Sequence, residues 1–157
     1  MTEQLSRFVQ PGRVHRQIYT DPAIFEIELE RIFGTAWIYI GHESQVKNPG
    51  DFLATRIGRK PLLLVRDAAG QLQLLHNQCA HRGGPVCQGR IYRQVREPVD
   101  ENGETRMLQH DPNSKNIVCP WHGWEFDLRT GRHPGGERFA LRRAKLEIAD
   151  GHVYVVV

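Results

Sequence analysis

Two short runs hold the residue types that bind metals: Cys79-Ala80-His81-Arg82-Gly83 and Cys119-Pro120-Trp121-His122-Gly123-Trp124. Each offers one thiolate and one imidazole inside a single tight loop. Four donors of the Cys2His2 kind suit either tetrahedral zinc or a two-iron cluster. Zinc fingers usually place two cysteines in one knuckle and two histidines in the other, whereas both loops here are mixed. A mixed pair suits an Fe2S2 unit with unlike irons, one taking Cys79 and Cys119, the other His81 and His122. Exchanging two anionic thiolates for neutral imidazoles removes negative charge from the ligand set and raises the reduction potential. On spacing alone zinc and the cluster both stay open.

The rest of the chain must position these loops. Its 157 residues are one domain's length, enough to bury a core without disulfides. Three cysteines, an odd number, make a disulfide framework unexpected as well. A 39% hydrophobic and 25% charged composition is ordinary for a globular protein and excludes bulk disorder. The net charge is +3, and so small a surplus does not suggest a nucleic-acid binder. The longest apolar runs, Leu62 to Val65 and Val153 to Val157, are too short to span a bilayer. Met1 to Gly12 lacks the apolar stretch of a signal peptide. The expectation is a cytoplasmic protein with no membrane or nucleic-acid partner.

Residues 1–20 are polar and irregular. Asp21-Pro22 then reads as a helix start, with Asp as N-cap and Pro at the first helical position. Phe25, Leu29, Ile32 and Phe33 follow at helical spacing, and Gly34 is the expected stop. Beyond it come short β-type runs at 37–40, 52–57, 62–66, 72–76, 116–119, 125–128, 141–148 and 153–157, separated by turn signals. The fold class is therefore mostly β: an extension with one helix over 1–34, then a β domain over 35–157. The polar stretch 92–115, centred on the two-residue turn signal Asn102-Gly103, reads as a protruding hairpin insertion, with a plain surface loop as the alternative.

Together, Cys-x-His-Arg-Gly and Cys-Pro-x-His-Gly-Trp resemble the cluster-binding signature of Rieske proteins, specifically Rieske-type ring-hydroxylating oxygenases. Upstream, Arg13-Val14-His15, Ile18-Tyr19, Asp21-Pro22, Ile32-Phe33, Trp37 and Gly41-His42-Glu43-Ser44 resemble the lead-in of the oxygenase large (alpha) subunit. The resemblance implies an iron–sulfur fold of antiparallel sheets with a cluster-binding subdomain, its loops at 79–84 and 119–124. It implies a [2Fe–2S] cluster held by Cys79, His81, Cys119 and His122. It also implies an oxidoreductase component: an electron-transfer domain of an aromatic-ring-hydroxylating dioxygenase, reduced by a ferredoxin or reductase. The acceptor in the family is a mononuclear Fe(II), held by two His and one carboxylate in a catalytic domain. That iron lies in the neighbouring subunit of a trimer, linked through an aspartate to the second cluster histidine, here His122. This chain ends at Val157, where the family's Rieske domain ends, so the mononuclear iron and all catalytic residues are expected outside it. His76 and His81 have the spacing of such an iron site, but the cluster claims His81, and Gln73 stands where a carboxylate would help. A free-standing Rieske ferredoxin is the alternative reading, and a zinc-stabilised interaction module the third.

The respiratory Rieske proteins carry an extra cysteine in each cluster loop, joined as a disulfide, and a serine that bonds the cluster. The matching positions here are Gly84, Trp121 and Trp124, which implies a lower reduction potential. Trp121 and Trp124 are expected to shield the cluster, and Cys87 to be a small buried hydrophobe. Arg82 either pairs with a partner's carboxylate or caps its own loop. His15, His42, His110, His133 and His152 read as surface or turn residues. The basic run Arg138, Arg142, Arg143 and Lys145 reads as a solvated strand face, with docking of an acidic electron donor as the sharper alternative.

Overall fold

A computed structural model describes residues 6–105 and 107–156. Arg106, inside the expected hairpin, and Val157, at the end of the last apolar run, lie outside the described residues. The described residues divide into two compact units, the first over residues 6–36 and the second over 37–156.

In the first unit, residues 6–20 are more ordered than their polar composition suggests. β1 (Val9–Gln10) pairs antiparallel with β2 (Arg13–Val14), and a one-turn helix, α1 (Gln17–Thr20), follows. Helix α2 (Pro22–Arg31) starts as expected: the Asp21 carboxylate accepts from the Ala23 N–H at 2.9 Å, and Pro22 needs no donor there. A Cβ at Gly34 would strike the Glu30 carbonyl, so only glycine turns the chain there. The buried side chain is Ile24, however, while Phe25 and Ile32 are 45% and 51% exposed. Apolar residues at 24, 25, 27 and 29 ring this short helix, so helical spacing picks out no unique face.

The second unit is built of antiparallel sheets. β4 (Phe52–Ile57), β5 (Lys60–Arg66) and β6 (Leu72–His76) form a meander. β7 (Arg90–Arg96), β8 (Gln109–Val118) and β9 (Glu125–Asp127) form a second sheet in that order. β10 (Arg132–His133) pairs with β11 (Gly136–Ala140). β3 (Ile38–His42) adds to the hairpin of β12 (Lys145–Ala149) and β13 (His152–Val156). The expected run 141–148 is a strand only from Lys145 onward. Its first residues instead border β6, with the His76 N–H donating to Arg142 and the Ala144 N–H to Leu74.

One core joins the sheets. Leu63, Val65, Leu75, Val86, Ile117, Phe126, Leu128 and Leu141 are each at most 2% exposed, and Cys79 and Cys119 belong to the same cluster. Burying one such side chain stabilises by about 1.5–3 kcal/mol before chain entropy is counted. The loops are thus anchored in the core by their own cysteines. Gln73 has a structural place: its amide donates to the fully buried Asp67 carboxylate at 2.9 Å and accepts from Arg143. That link ties the 142–144 segment to β6, the strand that delivers the first loop.

The hairpin expected at 92–115 is present and longer, since β7 and β8 carry its arms into the body of the sheet. Its tip is not a two-residue turn. The Asp100 N–H donates to Glu104, Val99 bridges Thr105, and of the tip residues only Gly103 (φ 81°) is left-handed. This is a three-residue loop, set by the Asp100 carboxylate accepting from the N–H groups of Asn102 and Glu104. No helix among the described residues is long and apolar enough to cross a membrane.

Candidate metal centre

Each of the two loops is closed by the same pair of backbone hydrogen bonds. The Cys79 N–H donates to the Gly84 carbonyl at 2.8 Å, and the Gly83 N–H donates back to Cys79 at 2.8 Å. In the second loop, the Cys119 N–H donates to Trp124 at 2.7 Å and the Gly123 N–H to Cys119 at 3.0 Å. Gly83 and Gly123, with φ of 74° and 71°, occupy the same left-handed corner, where a side chain would be strained. The loops are one template used twice, and their histidines leave it one residue apart.

The side chains gather as two pairs. Cys79 and Cys119 are unbridged and nearly fully buried, close enough for one thiol to hydrogen-bond the other. Burial pushes the Cys79 thiol above its ordinary range; the N–H groups of His81 and Arg82 oppose this, and the adjacent Cys119 adds to it. The rings of His81 and His122 meet edge to face at 4.9 Å. His122 is exposed, while His81 is half-buried and stacked at 4.9 Å on Trp124, with only 14° between the planes. The buried Nδ1 of His81 has no hydrogen-bond partner. Among the described residues no three His, Cys, Asp or Glu side chains gather around a single ion position.

Trp124 is fixed in turn by Phe139, edge-on at 4.6 Å, and by the ring of His133 at 4.7 Å. His133 Nδ1 bonds the Glu125 carbonyl at 2.9 Å, so His133 packs into the site rather than decorating the surface. Nothing in the sequence marks it, because the β10–β11 hairpin alone folds it back onto the loop. Trp121 is 57% exposed and lies on Gly84, where an added Cβ would sit 2.8 Å from the indole Cδ2. The expected shielding therefore divides unequally: Trp124 covers His81, and Trp121 clips one loop to the other.

The other singled-out residues fall elsewhere. Cys87 is half-buried against the core and exchanges hydrogen bonds with Asn77, both 2.9 Å long. His42 caps the short helical turn Glu43–Gln45, its ring nitrogen accepting from the Ser44 N–H. His15 and His152 bond backbone in their own turns. Arg82 is exposed on the first loop. Burial, and then the charges of Arg142 and Lys60, hold His76 below its ordinary value of 6.5.

Residues 36–140 match the family described as the Rieske [2Fe-2S] domain. This chain belongs to that family. Its group is a [2Fe–2S] cluster. The sequence is 37% identical over 116 residues to the biphenyl 2,3-dioxygenase subunit alpha of Rhodococcus jostii (strain RHA1), a match covering 74% of this chain and 21% of that one. The chlorobenzene dioxygenase subunit alpha of Cupriavidus sp. (strain PS12) gives the same identity and coverage. The chain thus spans about a fifth of the length of these curated relatives. The fold is also that of naphthalene 1,2-dioxygenase from Rhodococcus sp., with a TM-score of 0.69 at 24% identity, over 99% of this chain and 34% of that chain.

Proposed function

We propose that Cys79 and Cys119 hold one iron of the [2Fe–2S] cluster, and His81 and His122 the other. In this reading the domain relays single electrons from a ferredoxin or reductase to a catalytic oxygenase domain, as part of a ring-hydroxylating dioxygenase alpha subunit. The observation that carries it is the doubled loop template, which brings two buried thiols to each other and two imidazoles to each other. The unpartnered Nδ1 of His81 supports it further, since a buried ring nitrogen without a donor or acceptor is costly unless something binds it. Donors grouped two and two suit a two-iron unit better than a single zinc ion.

When bound, the group stores and releases one electron. The chain's own residues govern the surroundings. The N–H groups of His81 and Arg82 point at the Cys79 sulfur and stabilise negative charge there. Trp124 excludes water from the His81 side, while the exposed ring of His122 provides the contact through which a partner is reached.

The test is metal and sulfide analysis of anaerobically purified protein. Iron and acid-labile sulfide at about two each per chain, with an EPR signal only after reduction, are expected. One zinc per chain and no sulfide would sink the assignment. The midpoint potential should lie near the low end of the Rieske range, about −150 mV, because Trp124 offers its face to His81 and no hydroxyl. A midpoint above zero contradicts this.

A further inference from the structure

The charge of this chain is distributed unevenly. Residues 52–96 hold eight of its 21 Lys and Arg but one of its 18 Asp and Glu, which leaves the remainder net acidic. The one acid is Asp67, fully buried, with N–H donors on both carboxylate oxygens, so it puts no negative charge on the surface.

The fold collects part of this excess beside the first loop. A depression of about 300 Å³ is lined by His76, Gln78, Cys79, Ala80, Gly83 and Arg142, among others. A second, of about 530 Å³, shares Gln78 with it and is lined by Arg56 and Arg59 at the β4–β5 turn. No Asp or Glu lines either. The register explains the convergence: Leu62 pairs with His76, and the Asn77 N–H donates to the Pro61 carbonyl at 3.0 Å, so the basic turn lies against the strand end that becomes the loop. His76 senses the resulting field, since beyond burial both Arg142 and Lys60 disfavour its protonation. Of the basic run 138–145, only Arg142 lines these depressions; Arg143, also exposed, donates to Gln73.

From this placement we infer that Arg56, Lys60, Arg82 and Arg142 form a docking surface for an acidic electron-transfer protein, which hands one electron to this domain at its first loop. The inference rests on the functional reading above and adds the site and chemistry of the donor. The donor is oxidised by one electron, the domain reduced by one, and no proton or other reactant is needed. A one-signed patch around the redox site raises encounter rates with an oppositely charged partner, and the gain disappears as salt shortens the Debye length below the spacing of the charges.

Stopped-flow mixing of the oxidised chain with a reduced, acidic plant-type [2Fe–2S] ferredoxin tests this. The second-order rate constant should fall roughly tenfold between low and high salt. The triple variant Arg56→Gln, Lys60→Gln, Arg142→Gln should lose most of that dependence. The charge-matched control Lys47→Gln, Arg93→Gln, Lys145→Gln, outside both depressions, should keep it. If the triple variant does not fold, each single variant should remove about a third on a logarithmic scale. As a second readout, the reduced chain should give its electron to ferricyanide, a trianion, faster at low salt than at high salt, and to hexaamminecobalt(III), a trication, slower. The visible spectrum separates the two levels of failure. A chain without a cluster spectrum overturns the functional reading and this inference with it. A full spectrum with salt-independent rates, or a triple variant matching the control, overturns the docking surface alone.

Discussion

The two Cys/His loops share their backbone and differ in what covers it. Cys79 and Cys119 begin identical hydrogen-bonded frames, and Gly83 and Gly123 turn the same corner. Yet His81 lies half-buried under the Trp124 indole while His122 is exposed. At the position after the corner glycine the first loop has Gly84 and the second has Trp124. The bare position accepts the indole of Trp121 from the other loop, and the filled one shelters the histidine of the other loop. Both indoles thus come from the second loop and cover the first, and two equivalent frames yield one sheltered imidazole and one exposed imidazole.

The largest effect should come from the element the loops share. Cys79→Ala and Cys119→Ala should each reduce acid-labile sulfide from about two per chain to background, because neither frame offers a substitute thiolate. Retention of a spectrum in one variant alone would mean that the cysteines are not equivalent, with Cys87 as the replacement to examine. Next come the covers, where the loops should part. Trp124→Ala removes packing from His81, Phe139 and His133 together and should cost about 3 kcal/mol in unfolding. Trp121→Ala removes a side chain already 57% exposed and should cost about 1 kcal/mol. Equal losses would show that the clip matters as much as the shelter.

Residue type and spacing made the candidate site legible, since Cys and His in two mixed loops are rare and local. The turn-bounded apolar runs made most of the β domain legible too, and β4 and β6 fall at the expected positions. What escaped depends on contacts distant in sequence. The first arm of the 92–115 hairpin is expected only from Tyr92, as a protrusion; pairing with β8 begins β7 at Arg90 and makes it part of the sheet. β11 and the place of His133 depend in the same way on a hairpin returning to Trp124. The equivalence of the loops was hidden as well, because Cys-x-His and Cys-x-x-His look different until the backbone hydrogen bonds are seen.

That equivalence can be tested by smaller changes. Gly83→Ala and Gly123→Ala each place a Cβ in open space at a left-handed φ. Each should cost about 1 kcal/mol of backbone strain, and the two should cost the same. Gly84→Ala has no such strain but pushes the Trp121 indole away, at about 1–2 kcal/mol. Combined with Trp121→Ala, that cost should vanish, because the clashing group is gone. A Gly84 effect that survives in the double variant would place its origin in the first loop itself.

The smallest effect concerns the strand that feeds the first loop and has no counterpart in the second. His76 is held below its ordinary value of 6.5 by burial, then by Arg142 and Lys60, so its charged form is disfavoured in the folded protein. A depressed folded pKa contributes stability that is complete above the unfolded value and is lost as pH falls through the folded one. Acidification from pH 7.5 to 5.5 should therefore lower the unfolding temperature of the wild type more than that of His76→Gln, which has no proton to bind. The difference should be smaller than either glycine effect, because His76 is only partly buried and solvent screens its neighbours. Arg142→Gln should shrink it further by relieving part of the repulsion. Should Arg142→Gln leave the acid sensitivity unchanged, burial and Lys60 account for the depression of His76 without Arg142, and the positive field beside the first loop is weaker than the arginines imply.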